Sequence, residues 1–296
     1  MTDTLSDGYH IGKCGDISMK QIIRKILYYF AVYFVAGVGS VIAIYPLLFT
    51  LNSSFKNNEE VFSSMFGLPK AFRLENYADA FAVANIDKAL LNSVFISGAS
   101  VLLLLLIGSM ASYVLSRYKY RFNNALLLYF TMGIMIPAQC VLIPVVEIVN
   151  RVQGRNSYLA MIIIYAALNL PLTVFIISGY MRTISKEIDE SAIIDGCGPF
   201  RLLMRIIMPI AMPGLSTAAI ISFLYIYNEL IFASVFLSQK SMYTVPIALL
   251  SFKGKMDLQI GPTFAAVMLS IFPIVAFYLI FQSKVEKGLT AGAVKG

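Results

Sequence analysis

The sequence predicts an all-α membrane protein of about six transmembrane helices, and three observations carry the prediction. Charged residues make up 13% of the chain against 58% hydrophobic residues, and mean hydropathy is +0.77. A soluble domain carries roughly 25% charged residues, so water cannot be the main solvent. Apolar runs of about 20 residues recur, each long enough to cross a hydrocarbon core of ~30 Å as a helix. Lysine and arginine are also unevenly shared among the segments that connect these runs.

Residues 1–25 form a polar, mildly basic leader. The first run, about 27–51, exceeds the roughly 7–15-residue apolar core of a secretory signal. It ends in Tyr45-Pro46-Leu47-Leu48 rather than a small-residue cleavage site, so it reads as a retained anchor. Further runs follow at about 89–115, 124–147, 158–180, 213–237 and 262–283. The membrane domain is therefore expected over 26–283, with a tail of 284–296. The third and fourth runs carry Pro137, Pro144 and Pro171, which membrane helices tolerate where neighbours satisfy the freed carbonyls. Gly98, Ser109, Ala111, Ala218 and Ala219 are small enough for close helix contacts. Two outer loops are long: 52–88, with room for a short surface helix, and 238–261.

With the N-terminus inside, 14 basic residues fall on inner segments and 9 on outer ones. The short connection at 116–123 is the sharpest element, with Arg117, Lys119 and Arg121 and no acid. That bias puts both termini in the cytoplasm and accounts for the net charge of +7. No basic stripe is interleaved with stacking aromatics, which argues against a nucleic-acid partner. Cys14, Cys140 and Cys197 lack paired spacing, and the single histidine, His10, lies in the leader. Neither a metal site nor a disulfide framework is expected, and no catalytic residue is assigned.

The inner connection at 181–212 is far longer than topology requires. Ser185 can cap a helix whose first turn holds Glu187, Asp189 and Glu190, a pattern suited to the positive end of the helix dipole. Gly196 can end that helix in the left-handed conformation, and Gly198-Pro199 can start another. Phe200, Leu203, Met204 and Ile207 then recur at helical spacing, with Arg201 and Arg205 on another face. The pattern describes a helix–turn–helix at the inner surface, resting on lipid headgroups or docking a soluble partner. The acidic first helix fits an anionic membrane poorly and favours the partner.

Glu190-Ser191-Ala192-Ile193-Ile194-Asp195-Gly196, followed at a fixed gap by Ile206-Ile207-Met208-Pro209, resembles the EAA motif of ABC importer permeases. Ser191 replaces a small alanine and Met208 replaces leucine. Further segments, in order, resemble the maltose-type carbohydrate-uptake branch: Ser54-Phe55-Lys56, Glu75-Asn76-Tyr77, Asn92-Ser93, Tyr113 through Arg117, Pro137 with Gln139, Tyr227-Asn228-Glu229, and the tail from Gly288 to Gly296. Tyr227 stands where that branch usually has tryptophan.

The resemblance implies the type I ABC importer permease fold and a multi-pass subunit of the cell membrane. It also implies a heterodimer with a second permease, two ATP-binding subunits that hold ATP and Mg, and an extracellular sugar-binding protein. No cofactor is expected on this chain, which lacks a Walker A pattern. In the ATPase-docking role the resemblance points to Glu190, Ser191, Ala192, Asp195, Gly196, Phe200, Leu203, Ile206 and Pro209, with Phe200 and Leu203 as an apolar plug. It points to Leu289, Gly292, Lys295 and Gly296 in an ATPase-facing tail, and to 251–261 as a contact for the binding protein. Asn169, Asn228 and Glu229, polar groups within spans, are candidates for the translocation path or the permease interface; Glu147 is expected near an outer end. The alternatives are a secondary transporter driven by an ion gradient, which would need intramembrane relays or inverted repeats, and a membrane enzyme, for which HExxH and GxSxG are both missing.

Overall fold

The computed structural model describes residues 19–252 and 259–293, with side chains described over 23–252 and 259–283. All regular structure among the described residues is helical. The chain forms two compact units, Met1–Phe49 and Thr50–Gly296. Helix α1 (Met19–Ser53) supplies the first unit, continues through Pro46, and ends in the second.

In the second unit α4 (Ile86–Arg117), α7 (Tyr158–Met181) and α14 (Ile260–Ala293) are each long and apolar enough to cross a membrane. The run expected as one span at 124–147 is instead broken. Helix α5 (Asn123–Met135) and the segment that follows it, a tight turn at Ala138–Val141 leading into α6 (Leu142–Arg151), are bent by 95°. Pro137 causes the break, because it offers no N–H and forces the residue before it out of helix. Ile136 is accordingly extended, with φ −82° and ψ 117°. The run expected at 213–237 is likewise divided. Helix α11 (Met212–Tyr227) ends before residues 228–230, and the short α12 (Ile231–Phe236) resumes. With α1, four helices among the described residues qualify as spans by length and apolarity, or six when each sharply bent pair counts as one.

Two short helices occupy the long first loop, α2 (Asn58–Ser63) and α3 (Glu75–Ala84), and a compact polar knot ties them together. The Asn76 amide donates to the carbonyls of Ser54 at 2.8 Å and Lys56 at 2.9 Å. Lys56 is buried, and its ammonium donates to Ser64 O at 2.9 Å and Met65 O at 3.2 Å. Ser54 Oγ and Tyr77 OH are 2.8 Å apart, and the Phe55 ring packs on Tyr77 and Phe72. Gly261 of α14 closes over this knot; a Cβ there would overlap the Lys56 carbonyl. Asn85 then turns α3 sharply into α4 in the left-handed conformation (φ 46°), which asparagine tolerates better than most residues.

Helices α4, α7 and α11 form the core. The face of α4 turned inward carries buried Ser93, Ser97, Ser100, Ser109 and Ser112, small polar residues that let backbones approach. Ser112 Oγ donates across to Val174 O of α7, and Thr173 of α7 pairs with Ser222 of α11. Ala218 and Ala219 are buried as expected for contact positions, whereas Gly98 meets nothing within 4 Å of where a Cβ would stand. Tyr227 is buried, stacks on Phe223, and donates to Ser270 O of α14 at 3.1 Å, so the phenol supplies an aromatic body with one polar handle.

Candidate functional site

The connection at 181–212 begins with α8 (Glu187–Ile194), one residue later than the Ser185 cap predicts, although Ser185 Oγ does accept the Glu187 N–H at 3.3 Å. Gly196 closes the helix at φ 77°, its N–H donating to Ile193 O while Cys197 N–H donates to Ala192 O. The chain restarts at α9 (Pro199–Leu202) with proline at the first helical position. A π-helical turn follows at Leu203–Ile207, then the short α10 (Met208–Ile210). Pro199–Ile210 and α11 meet at a bend of 78°.

The π turn corrects the apolar stripe read at ordinary helical spacing. Leu202 and Ile207, five residues apart, are both buried, and Leu203 is only 4% exposed. Leu203 therefore packs inside this chain with Tyr113, Ile177 and Leu215 rather than forming part of an exposed plug. Ala192 is buried in the same cluster, and Ile206 is half-buried. The most exposed large apolar groups of the loop are Phe200 at 64%, Ile193 at 61% and Ile194 at 85%. Glu190, Ser191, Asp195, Gly196 and Pro209 are exposed on the same loop, as are Lys186, Arg201 and Arg205. The loop thus presents large apolar groups together with charges of both signs.

A contact that sequence spacing does not reveal holds this loop. Arg117, the last residue of α4, donates through Nη1 to Ile184 O at 2.8 Å, and its Nε lies 3.1 Å from Asp189 Oδ2. The paired side chains are 4% and 14% exposed. The approach is charge to charge rather than an aligned hydrogen bond, and Arg117 Nη2 and Asp189 Oδ1 are buried without partners. Burial raises the Asp189 carboxyl above its ordinary range, and the Arg117 and Lys186 cations oppose that rise without cancelling it. Such a pair fixes geometry more than it adds stability.

The polar residues of the spans separate into two kinds. Glu229 is a helix cap: Oε1 accepts from Phe232 N at 2.9 Å, and Oε2 accepts from Ala233 N at 3.1 Å and from Tyr165 OH at 2.8 Å. It repairs the break at 228–230, where N–H groups of α12 would otherwise lack acceptors. Asn228 is exposed and donates back to Leu224 O. Asn169, near the middle of α7, donates to Tyr165 O and lines a cavity of about 370 Å³ together with Pro137, Gln139, Pro171, Tyr225 and Glu229. Glu147 is exposed on α6.

The loop that follows α12 is pinned by amides. Asn92 donates to Ser241 O and Tyr243 O and accepts from Tyr158 OH, while Ser93 Oγ accepts from Val245 N. Asn156, at φ 52°, accepts from the backbone N–H groups of Ser238 and Gln239. The expected binding-protein contact at 251–261 falls largely outside the described residues, since 253–258 are not among them. In the expected tail, Leu289 and Gly292 lie on the backbone of α14, and Lys295 and Gly296 are outside the described residues.

Residues 104–290 match the family described as "Binding-protein-dependent transport system inner membrane component". The chain is 32% identical over 252 residues to the melibiose/raffinose/stachyose import permease protein MelC of Bacillus subtilis, covering 85% of this chain and 91% of that one. It is 31% identical over 260 residues to the diacetylchitobiose uptake system permease protein NgcG of Streptomyces coelicolor, covering 86% and 85%. Its fold matches a chain from the crystal structure of a bacterial ABC transporter that imports the acidic polysaccharide alginate, with a TM-score of 0.76 at 18% identity, over 91% of this chain and 99% of that one.

Two substitutions test the contacts described above. Arg117→Ala should lower the thermal midpoint of the detergent-solubilised protein by the equivalent of about 3 kcal/mol, the usual cost of leaving half of a buried pair. Asp189→Asn should cost clearly less, because burial already opposes the aspartate charge and Arg117 keeps its carbonyl partner; equal losses would contradict this account. In the same assay Glu229→Ala should destabilise more than Glu229→Gln, since alanine strands three donors at about 1–3 kcal/mol each while glutamine keeps one acceptor oxygen. Indistinguishable midpoints for those two variants would mean that Glu229 is not the cap of α12.

Proposed function

The chain belongs to the family of binding-protein-dependent transport system inner membrane components, as a carbohydrate-uptake ABC importer permease, and from that premise we propose that the loop at 181–212 couples it to a cytosolic ATPase. A second, related permease completes the pathway, two ATPase subunits hold ATP and Mg, and an extracellular binding protein delivers the sugar. The subunit sits in the cell membrane with both termini in the cytoplasm. The relatives named for diacetylchitobiose and for melibiose, raffinose and stachyose favour an oligosaccharide cargo.

The observation that carries the coupling role is the exposed face of the loop. Phe200, Ile193 and Ile194 are large apolar groups held out of the chain's own core, on a loop that also exposes Glu190, Asp195, Arg201 and Arg205. Beneath them Leu202, Leu203 and Ile207 are packed into the inner ends of α4, α7 and α11. A face so divided, anchored below and unfilled above, is suited to a cleft on a soluble partner. Glu190 and Ser191 supply polar contacts there, Gly196 the turn, and Pro209 the exit towards α11. Residues 289–296 extend from α14 to the same partner.

ATP-driven import also fits the state of the intramembrane acid better than an ion-driven cycle. A relay carboxyl must exchange its proton, whereas Glu229 is engaged by three donors as a cap.

Uptake in cells should collapse when ATP is depleted and survive an uncoupler; the reverse pattern would assign the chain to the ion-driven class. Gly196→Pro should abolish uptake while membrane insertion persists, because proline is held near φ −65° and Gly196 stands at 77°. Gly196→Ala, with open space at the Cβ and a strain of about 1 kcal/mol, should retain partial uptake. Full uptake by Gly196→Pro, or by a chain lacking residues 289–296, would remove the respective segment from the coupling mechanism.

A further inference from the structure

We propose that the apolar tip of the first loop, from Phe62 to Leu74, is a membrane anchor. It inserts into the bilayer interface on the side where α1 ends and α14 begins, and it holds both span ends at a fixed height.

The tip displays what a water-facing loop usually hides. Phe62, Phe66, Leu68, Phe72 and Leu74 are 68–87% exposed, and no charged residue stands between Glu60 and Lys70. A concentration of large apolar groups on a surface marks a place of interaction. The backbone beneath them is tightly held. Asn52, in the last turn of α1, donates to Gly67 O at 2.8 Å, and the buried Lys56 ammonium donates to Ser64 O and Met65 O. Arg73 N–H donates to Phe55 O at 3.2 Å, and the Phe72 ring meets that of Phe55 edge-on. A buried lysine and a side-chain amide are thus committed to fixing a segment whose own apolar side chains stay outside.

The position of the tip selects a bilayer as its partner. Helices α1 and α14 are both long and apolar enough to cross a membrane, and the tip is tied to the end of one and the start of the other. Asn52 belongs to α1; on α14, Gly261 packs on the Lys56 carbonyl and the Ile260 N–H donates to Asn58 Oδ1 at 3.0 Å. A surface fixed where two spans leave the slab lies at headgroup level, whereas a soluble partner could be met at any height above it. Polar side chains of the same loop gather separately, around a recess lined by Asn57, Asn58, Glu59, Asp79 and Gln259 that none of the five apolar side chains lines. Lys70, just past the uncharged run, is exposed and forms no ion pair among the described residues. Apolar groups followed by a flexible cation suit acyl chains beneath a layer of phosphates.

The test places a nitroxide at Leu68→Cys and, separately, at Phe62→Cys, with Cys14, Cys140 and Cys197 replaced by serine. The assembled transporter is reconstituted in vesicles of phosphatidylethanolamine and phosphatidylglycerol. Collision with oxygen, which concentrates among acyl chains, is compared with collision with a water-soluble nickel chelate. Both labels should favour oxygen severalfold more than a label at Asp79→Cys, an exposed residue of the polar recess. A ratio equal to that at Asp79 would leave the tip in water and overturn the anchor. Slow collision with both probes would mean that a protein covers the tip, and would overturn it equally. The chain has no tryptophan, so Leu68→Trp in the full chain with its native cysteines gives a second reading. Brominated lipid should quench that residue and aqueous iodide should not; the converse would overturn the anchor even if the cysteine replacements prevented folding. Neither measurement depends on which sugar is carried.

Discussion

A hydrocarbon slab offers no hydrogen-bond partners, so a chain that interrupts its helices there must repair each interruption with its own groups. That constraint organises most of the specific contacts in this structure. The break at 228–230 exposes N–H groups of α12, and Glu229 with Tyr165 behind it accounts for them. The loop after α12 would leave carbonyls of Ser241 and Tyr243 unpaired, and one side chain, Asn92, serves both. The first loop solves the same problem with Asn76 and Lys56, each of which donates to two carbonyls. Asparagine, glutamate and lysine are costly inside an apolar fold; here each bonds backbone groups at a loop or a helix end.

At the end of the bundle that carries the 181–212 loop the requirement is different. Arg117 and Asp189 are taken out of water, and burial pushes the Asp189 carboxyl up against the opposing attraction of Arg117. The pair is better understood as a register device than as a source of stability. It ties α8 to the end of α4, and with the Ile184 carbonyl it fixes where the loop leaves α7.

The broad features of this fold were legible because burial in lipid needs only length and apolarity, and 89–115, 158–180 and 262–283 carry both without ambiguity. Pro137 was not legible as a break, since a hydropathy window averages over the residue that stops the ladder. The π turn at 203–207 was hidden for a related reason. Phe200, Leu203 and Ile207 satisfy ordinary helical spacing, and only tertiary packing shows that the inward face is Leu202, Leu203 and Ile207. The family resemblance marked Ser54-Phe55-Lys56, Glu75-Asn76-Tyr77 and Asn92-Ser93 without giving a reason for them. Their partners lie 22 residues away for Asn76 to Ser54 and 152 away for Ser93 to Val245, distances at which no local pattern operates. Asp189 illustrates the same limit: its place in the first turn of α8 was readable, and its pairing with Arg117 was not.

The positions of the loop and the cavity along the chain bear on how one could act on the other. Helix α7 carries Asn169 near its middle and ends at Met181, where the loop begins; α11 starts at Met212, where the loop ends, and carries Tyr225. The two long walls of the cavity are therefore continuous with the two ends of the loop. Helices are stiff over such lengths, and α7 and α11 are tied laterally by Thr173 and Ser222. A rigid displacement of the loop by an ATPase would move both walls together. The hinges available to it are the 78° bend before α11 and the π turn beside it, places where the helical ladder is already irregular. Arg117 adds α4 to the moving body. On this geometry such a stroke would reach the cavity through covalent continuity and one ion pair, and the cap at Glu229 lets α12 begin beside the end of α11 with its first N–H groups satisfied.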